Sequence, residues 1–290
     1  MTATMTPTPA LATTDLSHAR LTGGRIIRSE WVKLVTLRST WWCLGVLAAL
    51  TAGLPAFIAF IIGEPYDGQP VSVDIGYSNW MNATVVPIGF TVLAAAVLGC
   101  LVITGEYGTG MIRSTMTAAP KRLSAFLAKA LVIGLTVFVI SLVALGLGAL
   151  FSGLIFSANG YLIEPGEARV WLTIVSAAGY PALIAVFAVG VGAMLRNSAG
   201  SIAAVLGLLL VVPTIVQLFG ALTQTEWIFD FGNFLPSSLG SVMYTPTIDG
   251  DFVMMQGTIQ LDPLQATLAL VAWVVAALIG GGVLLKSRDV

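Results

Sequence analysis

An all-α integral membrane protein with six spanning helices is predicted by three features: the composition, six long uncharged apolar segments, and charges that alternate in sign from one loop to the next. Apolar residues fill 57% of the 290 positions and charged residues only 9%, and the mean hydropathy is +0.94. Soluble domains carry roughly 25% charged residues. A chain this poor in charge cannot cover a water-facing surface of its size, so lipid must be its main solvent.

A helix needs about 20 apolar residues to cross the hydrocarbon core. Segments at about 41–62, 82–104, 130–156, 171–194, 201–222 and 265–285 meet that length, and none contains Asp, Glu, Lys or Arg. Residues 1–19, rich in Thr, Pro and Ala, read as a disordered tail, which leaves 20–290 as the membrane domain. The tail is not a signal peptide, because the first apolar run starts only near Trp41, behind a charged segment, and is long enough to span.

Basic residues precede the first span (Arg20, Arg25, Arg28, Lys33, Arg38). They recur between the second and third (Arg113, Lys121, Arg122, Lys129), between the fourth and fifth (Arg196) and after the sixth (Lys286, Arg288). Twelve of the 13 basic residues thus fall on one side, with Arg169 the exception. Glu64, Asp67, Asp74, Glu164, Glu167, Glu226, Asp230, Asp249, Asp251 and Asp262 fall on the other. The positive-inside rule then places both termini in the cytoplasm.

Along the chain, the first element is Gly24–Thr40. At 100° per residue Ile27, Trp31, Leu34 and Val35 share one face, while Ser29, Lys33, Thr36 and Thr40 share the other. This is a basic amphipathic helix expected to lie in the inner interface, either as a plain topology anchor or as a helix that also touches a cytoplasmic partner. The second span ends at Glu106, where a carboxylate is costly unless paired. Arg113, two helical turns on, is its expected partner through a bend at Gly108 and Gly110. Thr109–Ala118 is expected to form a short helix ended by Pro120, with Met111, Ile112 and Met116 exposed, and is read either as a solvated turn or as a plug for a groove on a soluble partner. Leu195–Gly200 is all that separates spans four and five, so a tight hairpin is expected there. In the outer segment from about Thr223 to Pro263, Trp227, Ile228, Phe229, Phe231, Phe234 and Leu235 predict short extracellular helices resting on the outer leaflet, or a lid.

Several chemistries find no support. No phosphate-binding G-x-x-x-x-G-K-[ST] loop is present. The spans hold no ionisable group of the kind that ion-coupled carriers use at mid-membrane, and nothing resembles a catalytic constellation. Cys43 and Cys100 are isolated in apolar runs, and His18 is the sole histidine, so no catalytic, cofactor or metal residues are assigned. Gln217 and Asn82, the most polar groups in or near the spans, are expected to bond between helices. Small residues at Ala144 with Gly148, Ala149 with Gly153, and Gly280 to Gly282 predict close helix contacts, within the chain or across a dimer.

The order of SEWVKLVTLRSTWW, a first span, a second span ending in GEYGTGMIRSTMTAAPKR, the GVGAMLRNSAGSIAAVLGLLL hairpin and an outer LPSSLG resembles the permease subunits of type-two ABC transporters, in particular the actinobacterial drug and natural-product exporters. The likeness covers about 24–288. It implies an export permease for an amphipathic drug, natural product or lipid-like molecule, working as a homo- or heterodimer with two copies of a separate P-loop ATP-binding subunit. ATP and magnesium would sit on that subunit, not on this chain, and no nucleic-acid partner is expected. It further implies a coupling helix at about Thr109–Ala119, with Glu106, Tyr107, Thr109, Met111, Ile112, Arg113 and Met116 at the ATPase contact. Arg28, Glu30, Trp31, Lys33 and Arg38 would belong to a connecting helix over Arg25–Thr40, and 223–263 would correspond to the family's re-entrant extracellular helices. The location would be the bacterial plasma membrane. A non-transporting sensor or assembly subunit and an autonomous carrier stand as the alternatives.

Overall fold

The computed structural model describes residues 22–63, 73–111, 122–245 and 256–287; the 1–19 tail lies outside them. The described residues form α1 (Gly23–Thr36), α2 (Arg38–Ile62), α3 (Val73–Val85), α4 (Ile88–Gly108), α5 (Arg122–Ala158) and α6 (Ala168–Leu195). They continue with α7 (Ser198–Thr223), α8 (Glu226–Asn233), α9 (Pro236–Tyr244) and α10 (Pro263–Ser287). Six of these units are long and apolar enough to cross a membrane: α2, α3 with α4, α5, α6, α7 and α10. The protein is an all-α integral membrane fold. The spans overrun their predicted limits at both ends, except the first, which gains residues only at its start and ends at Ile62 as expected. The second begins at Val73, so that part of the expected acidic loop is helix, interrupted only at Val86–Pro87.

Helix α6 is the axis of the bundle, and α4, α5 and α10 pack around it. Glycine makes the approach possible. A Cβ on Gly99 of α4 would lie 2.2 Å from the Ala185 carbonyl oxygen, and one on Gly190 would lie 2.6 Å from the Ala277 backbone. Small residues substitute for the hydrophobic drive that lipid removes, because they let backbones touch. The stripe on α5 is used within the chain: Gly148 faces Pro55 and the Thr51 carbonyl of α2, and Gly153 faces the Trp80 indole of α3. That indole donates to the Ala149 carbonyl at 2.8 Å. Gly281 of α10 likewise meets Ala193 and the Gly190 carbonyl. Hydroxyl pairs add Thr51 to Thr91 at 2.9 Å, Thr84 to Ser152 at 3.2 Å and Tyr77 to Thr173 at 3.2 Å.

The interhelical roles expected of Asn82 and Gln217 are not found. Asn82 donates to Ser78 on its own helix, and the Gln217 amide meets no partner among the described residues. Both side chains are exposed, and Gln217 faces the cleft between α7 and the two short helices that follow it. The lone basic residue of the acidic end is neutralised locally. Arg169 pairs with Glu167 and with Asp74 at 3.1 Å, and its guanidinium stacks 4.2 Å from the Tyr77 ring centre.

Helix α7 is the least buried span. It contains a π-turn at Gly207–Val211, closed by Val212 N–H donating to the Gly207 carbonyl. Pro213 follows directly. It has no N–H to continue an α-helical ladder, and the wide turn lets the helix run on past it. The expected hairpin between α6 and α7 is present: Arg196 is left-handed at φ 55°, and the Asn197 side chain caps α7 by accepting from Gly200 N–H at 2.8 Å.

The two short helices at the acidic end do not both rest on the surface. α8 descends along α7, with Phe229 against Gly220 and Gly232 against Val216. α9 is packed into the bundle. Leu239, Gly240, Val242 and Met243 are buried, and Gly240 sits so close to Tyr180 of α6 that a Cβ would clash at 2.2 Å. Trp273 of α10 donates to the Phe234 carbonyl at 2.9 Å. Counting from Pro263 to Trp273 at 1.5 Å per residue, the α8–α9 corner lies about 15 Å inside the start of α10. Only α8 keeps the exposed aromatic face expected of an interfacial helix, at Trp227 and Phe231.

Candidate functional site

The basic end of the bundle holds a compact four-charge cluster. Lys129, in the second turn of α5, donates to Glu30 of α1 at 2.5 Å and to Glu106 of α4 at 2.8 Å. Lys33, one turn along α1 from Glu30, donates to Glu30 at 2.8 Å and to the same Glu106 oxygen at 3.1 Å. Two acids and two bases thus alternate around a neutral ring. Glu30, Glu106 and Lys129 are only 4%, 4% and 5% exposed. Burial on that scale is tolerable because each charge has two partners of opposite sign. Burial pulls the Lys33 ammonium down, but the hydrogen bond to Glu30 and the charge of Glu106 outweigh it, so its pKa stands above the usual lysine value of 10.5. Its charge contributes fully below that value and is lost only as pH rises through the elevated one.

Helix geometry explains the ring. Glu30, Lys33 and Leu34 lie at i, i+3 and i+4, one face of α1, and Leu34 enters the core beside Phe126, Ile103 and Leu285. The inward face of α1 is therefore the charged one. Ile27, Trp31 and Val35 are turned outward, and Arg28 is exposed. Glu106 and Lys129, at the ends of adjacent spans, draw Lys33 and Glu30 inward as counter-charges. The connecting helix also ends sooner than predicted. It breaks at Leu37, where ψ is 122°, so Arg38 belongs to the first span. Trp41 Nε1 donates to the Val35 carbonyl at 2.8 Å and holds the elbow.

Glu106 is paired with Lys33 and Lys129. Arg113, Ile112 and Met116 lie outside the described residues. Thr109 does not open a new helix. It caps α4, its N–H and its hydroxyl both donating to the Gly105 carbonyl, and Gly110 at φ +71° turns the chain. Met111 is exposed and, with Thr109 and the charged ring, lines a cleft of about 200 Å³ between α1, α4 and α5. Glu106 Oε2 meets no donor among the described residues.

Tyr107 belongs to a second junction. The Arg196 guanidinium lies 5.2 Å from its ring centre and donates to the Leu284 carbonyl at 3.2 Å, while Ser198 donates to Thr104 at 2.8 Å. The second span, the α6–α7 hairpin and the last span are tied there. Lys129 and Arg196 are the charged members that sequence reasoning did not select, and Thr104, Ser198 and Leu284 were not selected either. Lys129 carried a signal: it opens the third span as Glu106 closes the second, so the two sit at one depth on neighbouring helices.

The family described as ABC-2 family transporter protein matches residues 26–214, well over half of the chain. The chain belongs to the ABC-2 transporter family. The match takes in α1, the charged ring and the spans through the π-turn of α7. No curated protein matches the chain. As a member of that family the chain is a multi-pass membrane permease component, a part of a transport system that generally works with an ATP-binding subunit.

Proposed function

We propose that this permease is the membrane subunit of an ATP-driven exporter, and that the Glu30–Lys33–Glu106–Lys129 ring is the joint through which a separate ATP-binding subunit moves it. The carrying observation is that the ring fastens α1, α4 and α5 together at the root of the segment joining α4 to α5. A load applied to that segment reaches two spans and the interfacial helix at once, because buried ion pairs resist separate movement of their partners. The positive-inside rule puts this basic end in the cytoplasm, where ATP is. The uncharged bundle suits an amphipathic or lipid-like cargo, carried across a bacterial plasma membrane by a pair of permease protomers with two ATP-binding subunits.

The test is co-expression of the tagged chain with neighbouring reading frames, purification in mild detergent and an ATPase assay. A P-loop subunit should co-purify. Glu106→Gln should insert normally yet lose at least about fivefold in cargo-stimulated turnover, the low end of coupling energies. Wild-type stimulation in that variant, or a chain that never retains an ATPase, would sink the reading and favour the sensor or carrier alternatives.

A further inference from the structure

Between α7, α8 and α9, on the acidic side of the bundle, lies a cavity of about 280 Å³. Its lining mixes polar side chains, Gln217, Asn233, Ser238 and Ser241, with apolar ones, Val216, Phe229 and Val242. No charged side chain lines it among the described residues. Pro213 also borders it, and counting back from Thr223 at 1.5 Å per residue places Pro213 about 15 Å inside the outer end of the span. On the same count Gln217 lies about 9 Å inside that end, so the cavity reaches into the apolar span beside the packed-in α9.

Two polar groups in this lining have no partner among the described residues. The Gln217 amide and the Ser238 hydroxyl make no hydrogen bond among the described residues. An amide at that depth is costly unless something satisfies it. Asn233 is differently occupied: its amide donates to the Gln256 and Ile259 carbonyls at 2.8 and 3.2 Å, which fixes the returning chain against α8. The π-turn at Gly207–Val211 lies immediately before Pro213, and such turns interrupt helices frequently at functional positions.

We infer that this cavity is a binding station for an uncharged amphipathic molecule bearing hydroxyl, carbonyl or amide groups, with Gln217 and Ser238 as its hydrogen-bonding residues. The inference rests on the transport reading and names the substrate class for it. Among the described residues the lining offers no counter-ion, so a carboxylate or ammonium would carry its full desolvation cost there. Val216, Phe229 and Val242 take the hydrocarbon part of the ligand.

The test uses the full chain alone in phosphatidylcholine nanodiscs, with no ATPase and no nucleotide. Two photoreactive probes of equal chain length are compared, a diazirine monoacylglycerol and a diazirine alkane, and labelled peptides are mapped by mass spectrometry. The monoacylglycerol should label 213–242 in preference to the alkane. Gln217→Leu and, separately, Ser238→Ala should each reduce that labelling about fivefold, the worth of one hydrogen bond, and leave alkane labelling elsewhere unchanged. Equal labelling of 213–242 by both probes, or full monoacylglycerol labelling in both variants, would overturn the site and leave the cavity as a water pocket. Because nothing turns over in this assay, the site can fail while an ATPase still co-purifies, and can stand where none does.

Discussion

At the scale of single residues, the charged ring is held by a balance that no one side chain supplies. Lys129 lies between two carboxylates with almost no solvent contact. Removing it leaves Glu30 and Glu106 buried with Lys33 as their single remaining cation. Lys129→Met should therefore lower stability by about 3 kcal/mol, the scale found when one partner of a buried pair is lost. Adding Glu106→Gln restores neutrality, with Glu30 and Lys33 left as a simple pair, so the double variant should be more stable than Lys129→Met alone. Thermal unfolding in detergent of the two single variants and the double checks this non-additivity. Additive losses would mean that the charges do not act as a unit.

At the scale of elements, the outer segment is an inserted structure fastened by a clasp. Asp230 of α8 accepts from the Thr258 N–H at 2.9 Å, the Thr258 hydroxyl at 2.7 Å and the Ile259 N–H at 2.9 Å. Gly257 at φ +107° lets the chain pass so close that a Cβ there would lie within 2.4 Å of the carboxylate. The hydrogen bonds from Ile259 and Thr258 hold the Asp230 carboxyl below the ordinary value of 3.8. A depressed folded pKa contributes stability that is present above the unfolded value and is lost as pH falls through the folded one. A nitroxide on Gln260→Cys should thus stay immobile at neutral pH and gain mobility only below the ordinary carboxylate range. Asp230→Ala should be mobile at every pH. An unchanged spectrum in Asp230→Ala would show that Asn233 alone holds the return.

At the scale of the whole molecule, the charge asymmetry defines two ends with different tasks. The basic end carries the ring and the Arg196 junction, and the acidic end carries the inserted α9 and its cavity. Orientation can be read with single cysteines at exposed glycines whose substitution meets no neighbour. Gly166 lies in the turn before α6, and Gly24 lies in α1. With Cys43 and Cys100 replaced by Ala, Gly166→Cys should react with a membrane-impermeant maleimide on intact cells. Gly24→Cys should react only after permeabilisation. The reverse pattern would invert the topology and remove the ring from the side where ATP is available.

What the sequence by itself determined is the part of the fold set by transfer energy along the chain. Six uncharged apolar runs must leave water, and their backbone polar groups must close on themselves as helices, so the spans and their charge-sorted ends were legible residue by residue. The need of Glu106 for a partner was legible on the same ground. Which partner it took was not. Depth places Glu106 and Lys129 level, but only the packing of α1 against α5 brings Glu30 and Lys33 to them, from positions 99 and 73 residues away in sequence. The amphipathic pattern of α1 was visible, yet the face turned inward was decided by those counter-charges. The same holds for α9, whose serines and glycine suit an interfacial loop until Tyr180 and Trp273 supply a seat inside the bundle. Hydropathy measures the cost of leaving water; the rotation of a helix about its axis and the choice of its neighbours are settled by contact, and contact exists only once the chain has folded.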